Sequence, residues 1–262
     1  VDSLALKLVL TPALIGAASL AGRRWGPAVS GWLVGFPLTS APIALILALG
    51  QGPAFAASVA AGTMAGAISQ AAFCVAYGRL ASRRGWPLAV SASCLAFALS
   101  TLALQGVVLP LVTLSVVVLA LLLVALRAMP VAVPEPRAAP VTTPPWDLGA
   151  RMAVATGFVL LLTGMAPSLG PRLIGLLAPF PLYGLVLAVF AHHLQGPAAA
   201  VALLRGLVLG LFGFAGFFLA LAALIERAGV GPAFTVAVAV TLALQAAALW
   251  SVRRGRSALP RG

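Results

Sequence analysis

Gly26-Pro27-Ala28-Val29-Ser30-Gly31-Trp32-Leu33-Val34-Gly35-Phe36-Pro37-Leu38 and Gly170-Pro171-Arg172-Leu173-Ile174-Gly175-Leu176-Leu177-Ala178-Pro179-Phe180-Pro181-Leu182 share a Gly-Pro pair, a glycine and a Phe-Pro-Leu at one register. The same offset, 26 to 170, carries Gln51-Gly52-Pro53-Ala54 onto Gln195-Gly196-Pro197-Ala198. It continues through Gly62/Gly206, Gly66/Gly210, Phe73/Phe217 and Arg83/Arg227. After a short deletion, Thr101-Leu102-Ala103-Leu104-Gln105 returns as Thr241-Leu242-Ala243-Leu244-Gln245. A chain rich in Ala and Leu matches itself by accident. Shared Gly, Pro, Phe and Gln at one register are much harder to obtain that way, so the sequence implies an internal repeat.

The solvent for that repeat is lipid. Of 262 residues, 62% are apolar and only 8% charged, and the mean hydropathy is +1.14. A soluble globule carries about a quarter charged residues. Alternating β-barrel segments are absent, so the fold class is an all-α polytopic membrane protein. The net charge of +12 suggests nucleic acid at first sight. The arginines, however, stand singly or in pairs at the ends of apolar runs, as topology signals do. Cys74 and Cys94 lie inside apolar runs and read as buried thiols. No Cys/His spacing suggests a metal.

Punctuation by Gly, Pro and Arg divides the chain into nine spans: Leu4–Gly22, Ala28–Leu49, Ala54–Leu80, Pro87–Leu104, Val107–Leu126, Leu148–Ala166, Pro171–Leu194, Ala198–Ile225 and Pro232–Val252. The run from Pro87 to Leu126 is too long for one crossing and is divided at Gln105–Gly106. The first run is followed by Arg23-Arg24 and lacks a basic segment before it, so it reads as a membrane helix and not a signal peptide. Arginines crowd the odd loops and the tail: Arg23, Arg24, Arg79, Arg83, Arg84, Arg127, Arg137, Arg253, Arg254, Arg256 and Arg261. That bias puts the N-terminus outside and the C-terminus in the cytoplasm of a bacterial inner membrane.

The organisation expected is a four-helix repeat over 1–106, a linker helix over 107–126, a Pro-rich loop over 127–146, a second four-helix repeat over 147–254 and a basic tail over 255–262. An odd linker helix makes the second copy begin on the opposite side of the membrane. The two copies are then inverted repeats, a plan shared by many secondary transporters.

Prolines interrupt the second helix of each copy, at Pro37 and Pro42 and at Pro179 and Pro181. Each removes a backbone donor, and the freed carbonyl must be satisfied by protein or by a water-lined cavity. Matched interruptions point to a midplane substrate site; structural kinks are the competing explanation. The candidate site residues at the breaks are Phe36, Pro37, Thr39, Ser40, Phe180, Pro181 and Tyr183. Arg205 lies inside its helix, where Ala61 stands in the first copy, and His192 and His193 end the preceding helix on the same side. Together they suggest an anion-binding or proton-exchanging cluster. Alternatively Arg205 snorkels to the headgroups. Gln70, Gln105 and Gln245 read as interhelical hydrogen-bonding residues, and the Gly62/Gly66 and Gly206/Gly210 pairs as packing motifs.

The only acids, Asp2, Glu135, Asp147 and Glu226, fall at helix ends or in loops. A cation substrate is disfavoured, because cation carriers usually keep a carboxylate inside a span. No catalytic motif is present, so no enzyme is expected, and no cofactor, catalytic residue or metal site is assigned.

The second copy, from Gly175 through Phe180-Pro181 and His192-His193 to Leu204-Arg205-Gly206, resembles the GlpM-type family of small four-helix membrane proteins. That family carries a Phe-Pro in its second helix, a His near the end of that helix and a Leu-Arg in its third. Here the Phe-Pro to His spacing is longer, and the first copy keeps Gly35-Phe36-Pro37 but lacks both His and Arg. The resemblance implies a fused, doubled relative of that family.

The expected function is a permease or secondary transporter for a small neutral or anionic solute. The alternative is a non-transporting membrane scaffold or envelope-assembly factor. The partners expected are the lipid bilayer and a small solute, not nucleic acid, and the reading leaves room for a homo-oligomer.

Overall fold

The computed structural model describes residues 36–131 and 147–257, with isolated residues (8–9, 12–14, 16 and 20) ahead of them. The first expected span, the first half of the second, most of the Pro-rich loop and the end of the tail lie outside the described residues. Eight helices follow in order: α1 Ser40–Gln51, α2 Pro53–Ala81, α3 Trp86–Gln105, α4 Leu111–Ala128, α5 Asp147–Leu177, α6 Leu182–Gln195, α7 Pro197–Ala228 and α8 Val230–Ser257. Six of them, α2, α3, α4, α5, α7 and α8, are long and apolar enough to cross a bilayer. Helices α1 and α6 are shorter apolar pieces. The chain is therefore an all-helical, multi-span, membrane-associated protein.

The turns sit where the sequence supplies Gly and Pro. Helix α1 ends at Gly52 (φ 91°, ψ 168°) and α6 ends at Gly196 (φ 88°, ψ 173°). This backbone conformation is essentially reserved for glycine. A proline follows at the first helical position, where its missing N–H is an orphan in any case. Gly170 (φ 74°, ψ 167°) makes the same kind of break inside α5, just before Pro171. The segment Pro171–Leu177 is thus a short helix of its own, separated from α6 by a second break at Ala178–Pro181. The hairpin division at Gln105–Gly106 is also present: α3 ends at Gln105 and α4 begins at Leu111.

Helices α2 and α7 form the centre and make the most extensive helix–helix contact. Their buried faces carry Met64, Phe73 and Tyr77 from α2 with Leu204, Leu211, Phe218 and Leu221 from α7. Lipid is as apolar as Leu, so tight packing of small residues has to supply the specificity that the hydrophobic effect gives in water. The clearest case is the crossing of α2 with Pro171–Leu177. A Cβ added at Gly175 would stand 2.5 Å from the Val59 carbonyl oxygen and 2.8 Å from Gly62 Cα. One added at Gly66 would stand 2.5 Å from the Pro179 ring and 2.8 Å from the Leu176 oxygen. A second apolar cluster packs Ile43, Ile46 and Leu47 of α1 against Val159 and Leu162 of α5 and Ile174.

These contacts fix directions. Moving up α2, Gly62 meets Gly175, Gly66 meets Pro179, Phe73 meets Phe180 (ring centroids 6.4 Å apart) and Tyr77 meets His192. Helix α2 therefore runs parallel to the broken segment 171–195. It runs antiparallel to α1, to which the Gly52 turn joins it. The two broken segments consequently run in opposite directions.

Candidate functional site

At the first break, Leu38 N–H donates to the Phe36 oxygen (2.8 Å) and Ala41 N–H to the Pro37 oxygen (2.8 Å). At the second break, Leu182 N–H donates to the Phe180 oxygen (2.8 Å) and Leu185 N–H to the Pro181 oxygen (2.7 Å). The pattern repeats bond for bond at the offset the sequence supplied. Pro181 (φ −81°, ψ 54°) has the dihedrals of an inverse γ-turn. A ring that fixes φ and lacks N–H makes that turn the natural exit from a helix. A new helix follows each one, at Ser40 three residues after Pro37 and at Leu182 directly after Pro181.

The two breaks touch. The Ser40 hydroxyl, 2% exposed, donates to the Ala178 carbonyl oxygen at 2.9 Å. Beside this contact is a cavity of about 40 Å³ lined from the first break by Phe36–Ser40 and from the second by Pro179–Gly184. Gln70 of α2 and Leu207, Leu211 and Phe214 of α7 complete the wall. That space admits a few waters or a small ion, and no sugar or amino acid. On the α2 side, Phe180 is ringed by Phe73, Phe97 (5.1 Å) and Phe158 (6.3 Å).

Seven of the sequence-predicted residues, Phe36, Pro37, Thr39, Ser40, Phe180, Pro181 and Tyr183, are thus brought around one cavity. The other three are not among its lining. The His192 Nδ1 lies 3.1 Å from the hydroxyl of the fully buried Tyr77. His193 is exposed. The Arg205 guanidinium donates to the carbonyl oxygens of Leu126 (2.8 Å) and Met129 (3.2 Å), at the C-terminal end of α4. The sequence reading, a vestibule or the headgroups, does not include these carbonyl partners. The last carbonyls of a helix have no intrahelical donor, and its negative dipole end attracts a cation. Arg205 answers both needs from inside the protein. Arg79 of α2 joins it there, donating to the Ala128 oxygen at 3.2 Å. The corresponding service at the other end of the molecule comes from Arg172, which donates to the Leu104 (2.9 Å) and Val107 oxygens.

Gln70 is the residue that sequence reasoning misplaced. Its position in an apolar helix predicts a bridge between helices, yet its Oε1 is buried without a hydrogen-bond partner, the residue is 7% exposed, and it lines the cavity. A lone amide in an otherwise apolar helix was the available signal. Gln245, also read as a bridge, is buried with both amide atoms unpartnered, and Gln105 is exposed. Thr101 and Thr241 do bridge: Thr101 donates to Ser69 Oγ (3.0 Å) and Thr241 approaches the Gly213 oxygen (3.4 Å). Positions 69 and 213 are themselves counterparts in the repeat.

The fold defines a multi-pass helical membrane protein with two matched helix breaks that meet. Comparison of the chain with protein-family models, with curated proteins and with solved structures returns no match.

Proposed function

We propose that the chain is an inner-membrane permease, not an enzyme, for a small neutral or anionic solute, with the cavity between the two breaks as its binding site. The observation that carries this reading is the meeting of two backbone-matched helix interruptions around a partly polar space. Irregular backbone at membrane depth is tolerated where it is buried in protein or lines a water-filled cavity. Here it does both. In this reading nine spans form two inverted four-helix repeats about the linker helix α4, with the N-terminus outside and the C-terminus cytoplasmic. The opposed directions of the broken segments support the inversion. The contacts of Tyr77 with His192 and of Arg172 with the Leu104–Val107 turn join ends that the arginine bias assigns to the same side. Each half would then be a relative of a GlpM-type four-helix unit.

Cysteine accessibility tests this reading and the scaffold alternative together. With Cys74 and Cys94 replaced by alanine, a cysteine at Gly106 should react with an impermeant thiol reagent only from outside, and one at Arg84 only from inside. A cysteine at Thr39 should react from water and block solute flux. A scaffold has a dry interface, so an inert Thr39→Cys in folded protein would overturn the permease. Labelling of Gly106→Cys and Arg84→Cys from one side would overturn the topology.

A further inference from the structure

The cavity's electrostatics narrow the ligand, on the permease reading of this same site. Both half-helices begin at the cavity: α1 at Ser40, with 12 residues, and α6 at Leu182, with 14. Neither start is capped by a side chain. The turn bonds engage the Ala41 and Leu185 amides. The amides of Ser40 and Gly184, one in each half and both in the cavity wall, lie too early in their helices to have an intrahelical acceptor. Each helix start is equivalent to about half a positive charge. Two of them facing one space balance about one negative charge. Among the described lining residues none is acidic and none is basic, so the backbone field of the two helix starts acts there in a setting where low dielectric strengthens it.

The second observation is independent of the helix ends. Gln70 comes from α2, is 7% exposed, and its Oε1 has no partner. A buried amide of this kind is unfavourable unless something completes it. The oxygen is the enclosed atom and the amide nitrogen is not, which leaves the NH₂ group, a donor, as the end available to the cavity. We propose that the cavity between the breaks takes a small monovalent anion, of the size of a halide, nitrate or formate, held between the starts of α1 and α6 with the Gln70 carboxamide as a donor. The Leu38 carbonyl, which Pro42 deprives of its helical donor, is in the same wall. It suits a water that accompanies the ion.

The test uses the full chain, purified in detergent and in proteoliposomes. Chloride, nitrate and formate are titrated calorimetrically, and their fluxes are measured beside gluconate, urea and glycerol. The expected result is saturable binding and flux of the small anions, with gluconate excluded. Gln70→Glu puts a negative charge in the wall and should weaken anion binding by about tenfold or more. Gln70→Leu removes only the donor and should weaken it less. Binding that strengthens in Gln70→Glu would mean a cationic ligand and overturn the proposal. Should Gln70→Glu fail to fold, unchanged binding in folded Gln70→Leu overturns it equally. Flux of urea or glycerol with no anion binding would sink the anion and leave the permease standing. Anion binding without any flux would keep the site and sink the permease. Neither binding nor flux would sink both.

Discussion

The break at Phe36–Ser40 and the break at Phe180–Gly184 share a backbone and differ in their surroundings. Both carry the same two turn hydrogen bonds, and each precedes a helix that ends in a glycine near φ 90°. The neighbouring side chains diverge. Where the first half puts Gln70 in the cavity wall, the second puts Phe214. Where the second half has Arg205, the first has Ala61. The lesson is that the repeated part of the molecule is the part that shapes the cavity. The unrepeated part serves features that exist once, and the linker helix α4 is one of these. Both arginines that hold its end, Arg79 and Arg205, have alanine counterparts, Ala223 and Ala61. A polar group needed on one side of a single cavity is likewise present once.

The largest effect should come from separating α2 from the second broken segment. At Gly175 any side chain meets backbone atoms of Val59 and Gly62, which cannot rotate away. Gly175→Leu should leave little or no folded protein after detergent extraction, read as loss of the monodisperse peak in size-exclusion chromatography. Gly206→Leu probes the position equivalent to Gly62, and no described atom lies within 4 Å of a Cβ added there. Equal damage at both sites would show that the two halves pack more alike than these contacts indicate.

Arg205 gives the next effect. Two carbonyls at the end of α4 lose their donor in Arg205→Ala, and a charged hydrogen bond is worth about 1.5–3 kcal/mol. Thermal stability should fall accordingly, while solute flux per folded molecule stays close to that of the native chain. Arg205→Lys should recover part of the loss, since an ammonium lacks the planar fork that reaches two oxygens. Arg79→Ala should cost less, because its bond is exposed. A collapse of flux at unchanged stability would return Arg205 to a substrate vestibule.

Much of this architecture was legible from residues whose constraint is local. Pro37, Pro181, Gly52 and Gly196 each restrict the backbone of their own segment, so their spacing predicted both breaks and both turns before any packing was known. The same holds for the seven cavity residues next to those prolines. What the sequence did not disclose depends on partners far along the chain. Arg205 meets Leu126 and Met129, and Tyr77 meets Ala188 and His192. Nothing at position 205 records where α4 ends. Gln70 was legible only as a lone amide: a glutamine that bonds a neighbouring helix and one that faces a cavity look the same in a membrane sequence.

The smallest effect is the sharpest test of the shared backbone. Gly52 and Gly196 hold nearly identical dihedrals, and a Cβ built at either finds no described atom within 4 Å. Alanine at each therefore meets no steric neighbour, and its whole penalty is conformational: the strain of placing an L-residue near φ 90°, ψ 170°. That strain is of order 1 kcal/mol or somewhat more, partly offset because alanine also restricts the unfolded chain. Because the dihedrals match, Gly52→Ala and Gly196→Ala should lower thermal stability by the same amount, within about 0.5 kcal/mol. The sites are far enough apart that the double variant should lose the sum. Proline follows each glycine, so neither turn can relax by extending the next helix backward without breaking its start. A loss at one position and none at the other would mean that one turn has an alternative conformation. The two halves would then share a sequence pattern without sharing the backbone that joins α1 to α2 and α6 to α7.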